Sequence, residues 1–366
     1  MGREGENGNS IMAKLYNISE WNEQSWWNTG GTRDKKIYFN PEDGELYYFK
    51  QSFKKGQRDY KHEFWSEIIA YEVGEHLGFD ILPYHIAIRG NVVGCISKSM
   101  INQASEELVE GGKYLQAFDN TFKPENIKLR NQYNFDLIVK ALAAFKKEKH
   151  LKELAETIVF DALIGNSDRH QENWAIINVH TIISEGISQI QKEIESGEID
   201  SMPNWLKKLI KVAYTVKGKI RPELQAARLM LPKQTRFSPI YDSGCSFGRE
   251  LDDQRVKLML TKEDEIQKYV AKGQAEIHWE SNKISHFELV TKLLESDGIK
   301  DFIIAPLKRI AELFNQNKIE QIVLNVDKEM IELGNINVLP NERKEMVLKL
   351  LTLRFNKLNE IYLQYK

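Results

Sequence analysis

Residues 160–174 read Phe-Asp-Ala-Leu-Ile-Gly-Asn-Ser-Asp-Arg-His-Gln-Glu-Asn-Trp, and no other stretch restricts the fold as strongly. An apolar helical run from Ile158 to Ile164 meets Gly165, a residue that stops helices by turning left-handed. Polar groups then crowd together in Asn166, Asp168, Arg169, His170 and Asn173. Trp174-Ala175-Ile176-Ile177 follows as a short β-prone segment. Helix, polar loop and strand in that order hold a set of side chains at one edge of a cleft. Within the loop, an Asp can accept the proton of a hydroxyl, and an Asn five positions later can hold a divalent cation. Alone, such a loop is more often a solvated turn than a site.

Residues 237–244, Phe-Ser-Pro-Ile-Tyr-Asp-Ser-Gly, supply a second piece: a strand-like segment ending in Asp-x-Gly. The Asp of such a turn bridges a metal to nucleotide phosphates, and the Gly is expected to let the backbone turn sharply behind it. Asp168, Asn173 and Asp242 thus have the types and the order of a kinase active site, each segment following an apolar element.

The chain has 366 residues, long enough for two lobes, with 42% hydrophobic and 28% charged residues. A net charge of −2 excludes a surface that is basic throughout. Two cysteines, Cys95 and Cys245, lie far apart and in no metal-ligand spacing, which fits a reducing cytoplasm rather than a disulfide framework. Cys245 reads as a small buried residue beside the Asp242 turn, with a reactive role as the alternative. No apolar stretch approaches the ~20 residues that span a bilayer. Residues 1–14 read as a disordered lead-in without the apolar core of a signal peptide.

The N-terminal third reads as β-rich. Ile37-Tyr38-Phe39 and Leu46-Tyr47-Tyr48-Phe49-Lys50 flank the turn Asn40-Pro41-Glu42-Asp43-Gly44, the pattern of a hairpin. Gly30-Gly31 precedes it, where a phosphate-covering loop would lie, but not as Gly-x-Gly-x-x-Gly or a Walker loop. Lys50 closes the second strand, and a helix from Lys61 to Gly78 carries Glu63 and Glu67 on one face. Either could reach Lys50, or both could be solvated. Strands from Tyr84 to Arg89 and Val92 to Lys98 complete the sheet, which the chain leaves near Met100-Ile101, where a hinge would offer backbone groups to adenine.

At this point the sequence resembles the HipA-like kinases, bacterial serine/threonine kinases of toxin–antitoxin modules, and among them the shorter cell-translocating kinases. The matching segments are Thr29-Gly30-Gly31-Thr32-Arg33, Lys50, Glu67 ahead of Leu77, and Gly78-Phe79-Asp80-Ile81-Leu82-Pro83. They continue with Ile164-Gly165-Asn166-Ser167-Asp168-Arg169-His170-Gln171-Glu172-Asn173 and Ile240-Tyr241-Asp242-Ser243-Gly244. The resemblance implies that Asp168 is catalytic and that Asn173 and Asp242 hold Mg2+. It further implies that Lys50 contacts ATP phosphates, that Glu67 orients it, and that Gly30, Gly31, Thr32 and Arg33 belong to the phosphate loop. It also implies self-phosphorylation, for which Thr29 and Thr32 are candidates, an antitoxin or regulatory partner, and a bacterial, cytoplasmic setting, with secretion into a host left open. Asp-Arg-His-x-x-Asn occurs in phosphoinositide kinases too, so the acceptor stays open between protein and lipid. His170 either assists the reacting groups or holds the loop.

Residues 178–236 depart from that pattern, placing about sixty extra residues between two segments usually joined by a short hairpin. Glu185 to Asp200 is acidic; Lys207, Lys208, Lys211, Lys217, Lys219, Arg221, Arg228, Lys233 and Arg236 make a basic half. It reads as a helical surface insertion, with docking to an acidic partner, nucleic acid or a membrane surface as the sharper alternative. Lys146-Lys147-Glu148-Lys149-His150 reads as a solvated turn between two core helices. Helices are expected from Phe287 to Leu294, from Leu307 to Phe314 behind Pro306, from Lys318 to Leu333, and from Glu342 to Leu363 behind Pro340.

The expectation is therefore an α+β, bilobal protein-kinase-like fold, with a small β-rich N-lobe over 15–101. A mainly helical C-lobe follows over 102–366, with its insertion at about 178–236. The expected activity is ATP- and Mg2+-dependent phosphorylation of Ser or Thr in a protein. A lipid kinase and a non-catalytic nucleotide- or partner-binding scaffold are the alternatives.

Overall fold

The structure is a computed structural model that describes residues 13–24, 35–56, 58–123, 131–179, 182–197, 203–216, 219–230, 232, 234–334 and 337–366. The expected phosphate loop (Thr29, Gly30, Gly31, Thr32, Arg33) and most of the lead-in lie outside the described residues.

The N-terminal part is built on β1 (Leu15–Asn17), β2 (Asn22–Glu23), β3 (Lys35–Asn40) and β4 (Glu45–Lys50), then the small hairpin β5 (Lys54–Lys55) and β6 (Arg58–Asp59). Helix α1 (Glu63–His76) and strands β7 (His85–Arg89) and β8 (Val92–Lys98) follow. The main sheet runs β1-β7-β8-β4-β3-β2, parallel only between β1 and β7. The β3–β4 turn closes as the Asn-Pro-Glu-Asp-Gly sequence dictates. Asn40 Oδ1 accepts the Glu42 N–H at 3.0 Å, and Gly44 sits at φ +72° and donates to the Asn40 carbonyl at 2.9 Å. Alternation along the strands sends Tyr38, Tyr47, Phe49, Ala87 and Ile96 to one face, where they pack with Ile18 under Tyr16 and Trp21. Helix α1 is buried over nearly its whole length, Glu63 and Glu67 included, so neither glutamate is the solvated charge that the sequence allowed.

The chain then forms β9 (Glu106–Glu110), α2 (Gly111–Phe118), α3 (Phe135–Ala144), α4 (Leu151–Ile164) and β10 (Ala175–Val179). The insertion holds α5 (Ile182–Ser196), α6 (Asn204–Tyr214), the hairpin β11 (Thr215–Val216) and β12 (Lys219–Ile220), and α7 (Pro222–Met230). Strand β13 (Thr235–Phe237) returns antiparallel to β10, pairing Ile176 with Phe237 and Asn178 with Thr235. The long insertion therefore leaves and re-enters at the open end of an intact two-strand ladder, and the two loops beyond that ladder's other end stay together.

The remainder is helical: α8 (Asp253–Thr261), α9 (Glu263–Lys272), α10 (His286–Leu294), α11 (Lys300–Leu313), α12 (Gln316–Asn325), α13 (Lys328–Glu332) and α14 (Asn341–Tyr365). These wrap α4, whose residues are buried from Leu154 to Ile164 apart from a half-buried Glu156. Two boundaries differ from expectation. Pro306 lies inside α11 rather than starting it, and the run from Lys318 to Leu333 breaks into two helices around a buried Asp327, which takes Lys344 Nζ at 2.6 Å and the Leu339 N–H at 2.8 Å.

The lysine-rich turn before α4 also departs from its reading. Lys147 and His150 are buried, because Lys147 Nζ donates to the Pro232 carbonyl at 2.7 Å and His150 Nε2 pairs with Thr235 Oγ1 at 2.9 Å. A charge run that looks solvated is in fact the seat for the returning end of the insertion.

Candidate active site

Helix α4 ends as its sequence predicts, on Gly165 at φ +70°, and a side chain there would also strike the guanidinium of Arg354. The polar loop beyond it is folded around Arg169. Its guanidinium grips Asp161 of α4 through two parallel bonds, Nε to Oδ2 and Nη2 to Oδ1, both 2.8 Å. Its Nη1 donates to the carbonyls of Asn173, at 2.8 Å, and Tyr241. Arg169 thus joins the α4 end, the Asp168–Asn173 loop and the segment that carries Asp242. Burial alone would lower its pKa; the Asp161 carboxylate overrides this and holds it above the ordinary value. Asn166 Nδ2 donates to Asp161 Oδ1 at 3.0 Å, and the Asp168 N–H to Asn166 Oδ1 at 3.2 Å.

Asp168 and Asn173 are brought together directly, since Asn173 Nδ2 donates to the Asp168 carbonyl at 2.6 Å. His170 Nδ1 accepts the Glu172 N–H at 3.2 Å, a bond that shapes the loop.

Across from this loop, Lys50 at the end of β4 places Nζ 2.9 Å from Glu67 Oε1 and 2.9 Å from Asp242 Oδ1. Burial disfavours the ammonium, but Asp242 and then Glu67 outweigh it and raise the Lys50 pKa well above the ordinary value. Of the two glutamates on α1, it is Glu67 that reaches Lys50. Its other oxygen accepts the Ser243 N–H at 2.7 Å, which fastens the Asp242 turn to α1. Lys35, the cross-strand partner of Lys50, puts Nζ 3.8 Å from Asp242 Oδ2.

The turn itself differs from expectation in one respect. The left-handed residue is Asp242, at φ +56°, and not Gly244. Gly244 is needed for close approach instead: a Cβ there would lie 3.1 Å from Glu67 Oε1 and 3.2 Å from Glu63 Cγ. A strained aspartate at a cleft is a common mark of a functional position.

Of the expected hinge groups, the Met100 carbonyl accepts from Arg236 Nη2 at 2.6 Å, and the Ile101 carbonyl accepts from Ser99 Oγ at 3.1 Å. The structure therefore engages both within the protein. Gly30, Gly31, Thr32 and Arg33 fall outside the described residues. Sequence reasoning gave no role to Asp161, yet its signal was present: a carboxylate inside an apolar helical run must find a buried cation. Cys245 and Arg249, beside the turn, were likewise not placed in the site.

The residues fit a divalent cation held with nucleotide phosphates. Among the described residues no group of three or more His, Cys, Asp and Glu forms a metal cage. Magnesium at a nucleotide site takes only one or two protein ligands, with phosphate and water oxygens completing its shell. Asp242 and Asn173 have the donor types that such a pair requires, on segments that Arg169 joins.

No protein-family model and no curated protein matches the sequence. Among solved structures, the proinflammatory kinase CtkA of Helicobacter pylori superposes with a TM-score of 0.67 at 18% identity, over 95% of this chain and 96% of that one. HipA of Shewanella oneidensis, solved with HipB and operator DNA, overlaps at a TM-score of 0.40 and 10% identity, over 86% of this chain and 58% of that one, too loosely to carry an argument. The chain therefore has the mixed α+β fold of a kinase, as in CtkA, with a β-rich N-terminal sheet followed by a mostly helical remainder.

Proposed function

We propose that the protein transfers the γ-phosphoryl group of ATP to a Ser or Thr hydroxyl of a protein, with Mg2+ as the metal. The observation that carries this reading is the Lys50 ammonium held at 2.9 Å from both Glu67 and Asp242, on a turn that Arg169 joins to the Asp168–Asn173 loop. A lysine so placed, with a carboxylate on either side, is oriented and kept charged for phosphate oxygens. Asp242 and Asn173 would hold the metal, which would supply charge neutralisation at the phosphates. Asp168 accepts the hydroxyl proton as the oxygen–phosphorus bond forms and the bond to the ADP leaving group breaks. The motif resemblance assigns Gly30, Gly31, Thr32 and Arg33, which lie outside the described residues, to the phosphate loop. Positioning and charge account for the catalysis, because this transition state asks little covalent chemistry of the enzyme.

A protein acceptor is favoured over a lipid by the state of the basic insert. Arg228 pairs with Glu107, and Arg236 lies 3.0 Å from Glu106, so part of the basic half is used within the chain. The motif resemblance extends the reading to self-phosphorylation at Thr29 or Thr32 and to an antitoxin-like regulatory partner. Incubation with γ-labelled ATP and Mg2+ tests it, with self, a generic protein and phosphoinositide vesicles as parallel acceptors. Label in protein supports the proposal, whereas label only in lipid replaces it with lipid phosphorylation. ATP binding with no transfer to any acceptor replaces it with a scaffold. Intact mass unchanged after ATP would remove self-phosphorylation.

A further inference from the structure

Directly after the Asp242 turn lie two side chains that phosphoryl transfer as described does not use. Cys245 is 4% exposed, and its Sγ lies 3.2 Å from Asp168 Oδ2. From the other side, Arg249 Nη2 donates to the same sulfur at 2.9 Å. The guanidinium continues the row: Nη1 is 3.7 Å from Glu63 Oε1, and its carbon stands 4.1 Å from the centre of the Tyr60 ring. Glu63 is buried in the first turn of α1, where its Oε2 accepts the Phe53 N–H at 2.9 Å.

Polarity decides what this row can do. A guanidinium only donates and an ionised carboxylate only accepts, so the atom between them must do both. A protonated thiol meets that demand, accepting from Arg249 and donating to Asp168. A thiolate has no proton to give and would face a carboxylate. We propose that Cys245 and Arg249 are positioning residues that tie the Asp168 carboxylate to α1 through Glu63. The inference rests on the reading of Asp168 as the proton acceptor.

Two struts then leave the same helix. Glu67, through Lys50, fixes Asp242; Glu63, one turn earlier, fixes Asp168 through Arg249 and Cys245. The position of α1 thereby sets the metal ligand and the proton acceptor together. The backbone around Cys245 has its own tie, the Ser167 N–H to the Cys245 carbonyl at 3.3 Å, which a change of side chain leaves in place.

The test compares Cys245→Ser, which keeps a group that donates and accepts, with Cys245→Ala, which keeps neither. For Cys245→Ala, kcat is expected to fall ~10- to 100-fold, the cost of a misplaced reacting group, with KM for ATP within about twofold of wild type. Cys245→Ser should regain most of the loss. Arg249→Ala should fall similarly, and the double variant with Cys245→Ala should be no worse than the poorer single, because the two act in one row. A readout that needs no turnover is alkylation by iodoacetamide, mapped by mass spectrometry. Cys245 should react faster in Asp168→Ala than in wild type, while Cys95, fully buried with its thiol pushed up by that burial, stays unmodified. Wild-type kcat in Cys245→Ala, or alkylation of Cys245 indifferent to Asp168→Ala, overturns the proposal. Alkylation as expected in a protein that phosphorylates nothing overturns the function instead and leaves the tie standing.

Discussion

Lys50→Met removes the ammonium that Glu67 Oε1 and Asp242 Oδ1 share at 2.9 Å each, and keeps the apolar stem. Removing one partner of a buried ion pair costs ~3–5 kcal/mol, because the remaining charge stays desolvated. Here the low end applies, ~3 kcal/mol by that rule, since Ser243 still donates to Glu67 Oε2 and Lys35 still faces Asp242 Oδ2. Unfolding entropy of ~2.1 cal/mol/K per residue over 366 residues converts this to a Tm lower by ~4 °C. Lys50→Met with Glu67→Gln should recover ~1 kcal/mol of it, because the orphaned carboxylate is gone. The loss should not vary between pH 6 and 8. Burial opposes the Lys50 ammonium, yet Asp242 and Glu67 raise its folded pKa above the ordinary 10.5. Its contribution is therefore fully present below 10.5 and is lost only as pH rises through the higher folded value. Differential scanning calorimetry of the three proteins at both pH values is the assay. An unchanged Tm in Lys50→Met, or a double variant less stable than the single, would refute the shared-cation geometry.

Three further outcomes follow from single contacts. Glu72 is buried on α1 and accepts the Ala13 N–H at 2.5 Å; burial first, then Glu75, pushes its carboxyl up to about 8. A raised folded pKa gives stability that is present below the ordinary 4.5 and lost as pH rises through about 8, so wild-type Tm should decline from pH 5 to 8.5 more than that of Glu72→Gln; parallel curves would contradict this. Gly111→Ala would put a Cβ 2.2 Å from the Trp174 ring, which is stacked on Phe237 and bonded to Tyr133, and should cost ~1–3 kcal/mol of stability by urea titration. Arg169→Lys keeps the charge but not the paired bonds to Asp161 or the reach to Asn173 and Tyr241, and should cost ~3 kcal/mol and weaken nucleotide binding, read by denaturation and calorimetric titration.

The parts of the site legible in the sequence were those written locally. Gly165 marked the end of α4, the Asp168-to-Asn173 spacing marked the loop, and the aromatic strands with their Pro/Asp/Gly turn placed Lys50 at the end of β4. Choosing Glu67 over Glu63 needed the motif register, since a helical face offers both equally. What stayed hidden depends on contacts between distant segments. Arg169 sat in a recognised motif, but its partners Asp161 and Tyr241 lie in other elements, and no spacing rule connects them. Lys147 and His150 read as solvated because a charge run has that composition whether or not a returning strand covers it. The insertion made Asp242 look remote in sequence, yet pairing of β10 with β13 brings it back to the loop. Gly244 was read as a flexible turn residue and proved to be a spacer between the turn and α1.

The central claim is that Asp168 accepts the hydroxyl proton in an ATP-dependent transfer. Single-turnover transfer from γ-labelled ATP should be measured for wild type and Asp168→Asn, with the ATP Kd determined on the same samples. The account predicts transfer slowed by at least ~100-fold in Asp168→Asn, the usual worth of a positioned general base, with the Kd for ATP unchanged within about twofold. Equal transfer rates in the two proteins would contradict it.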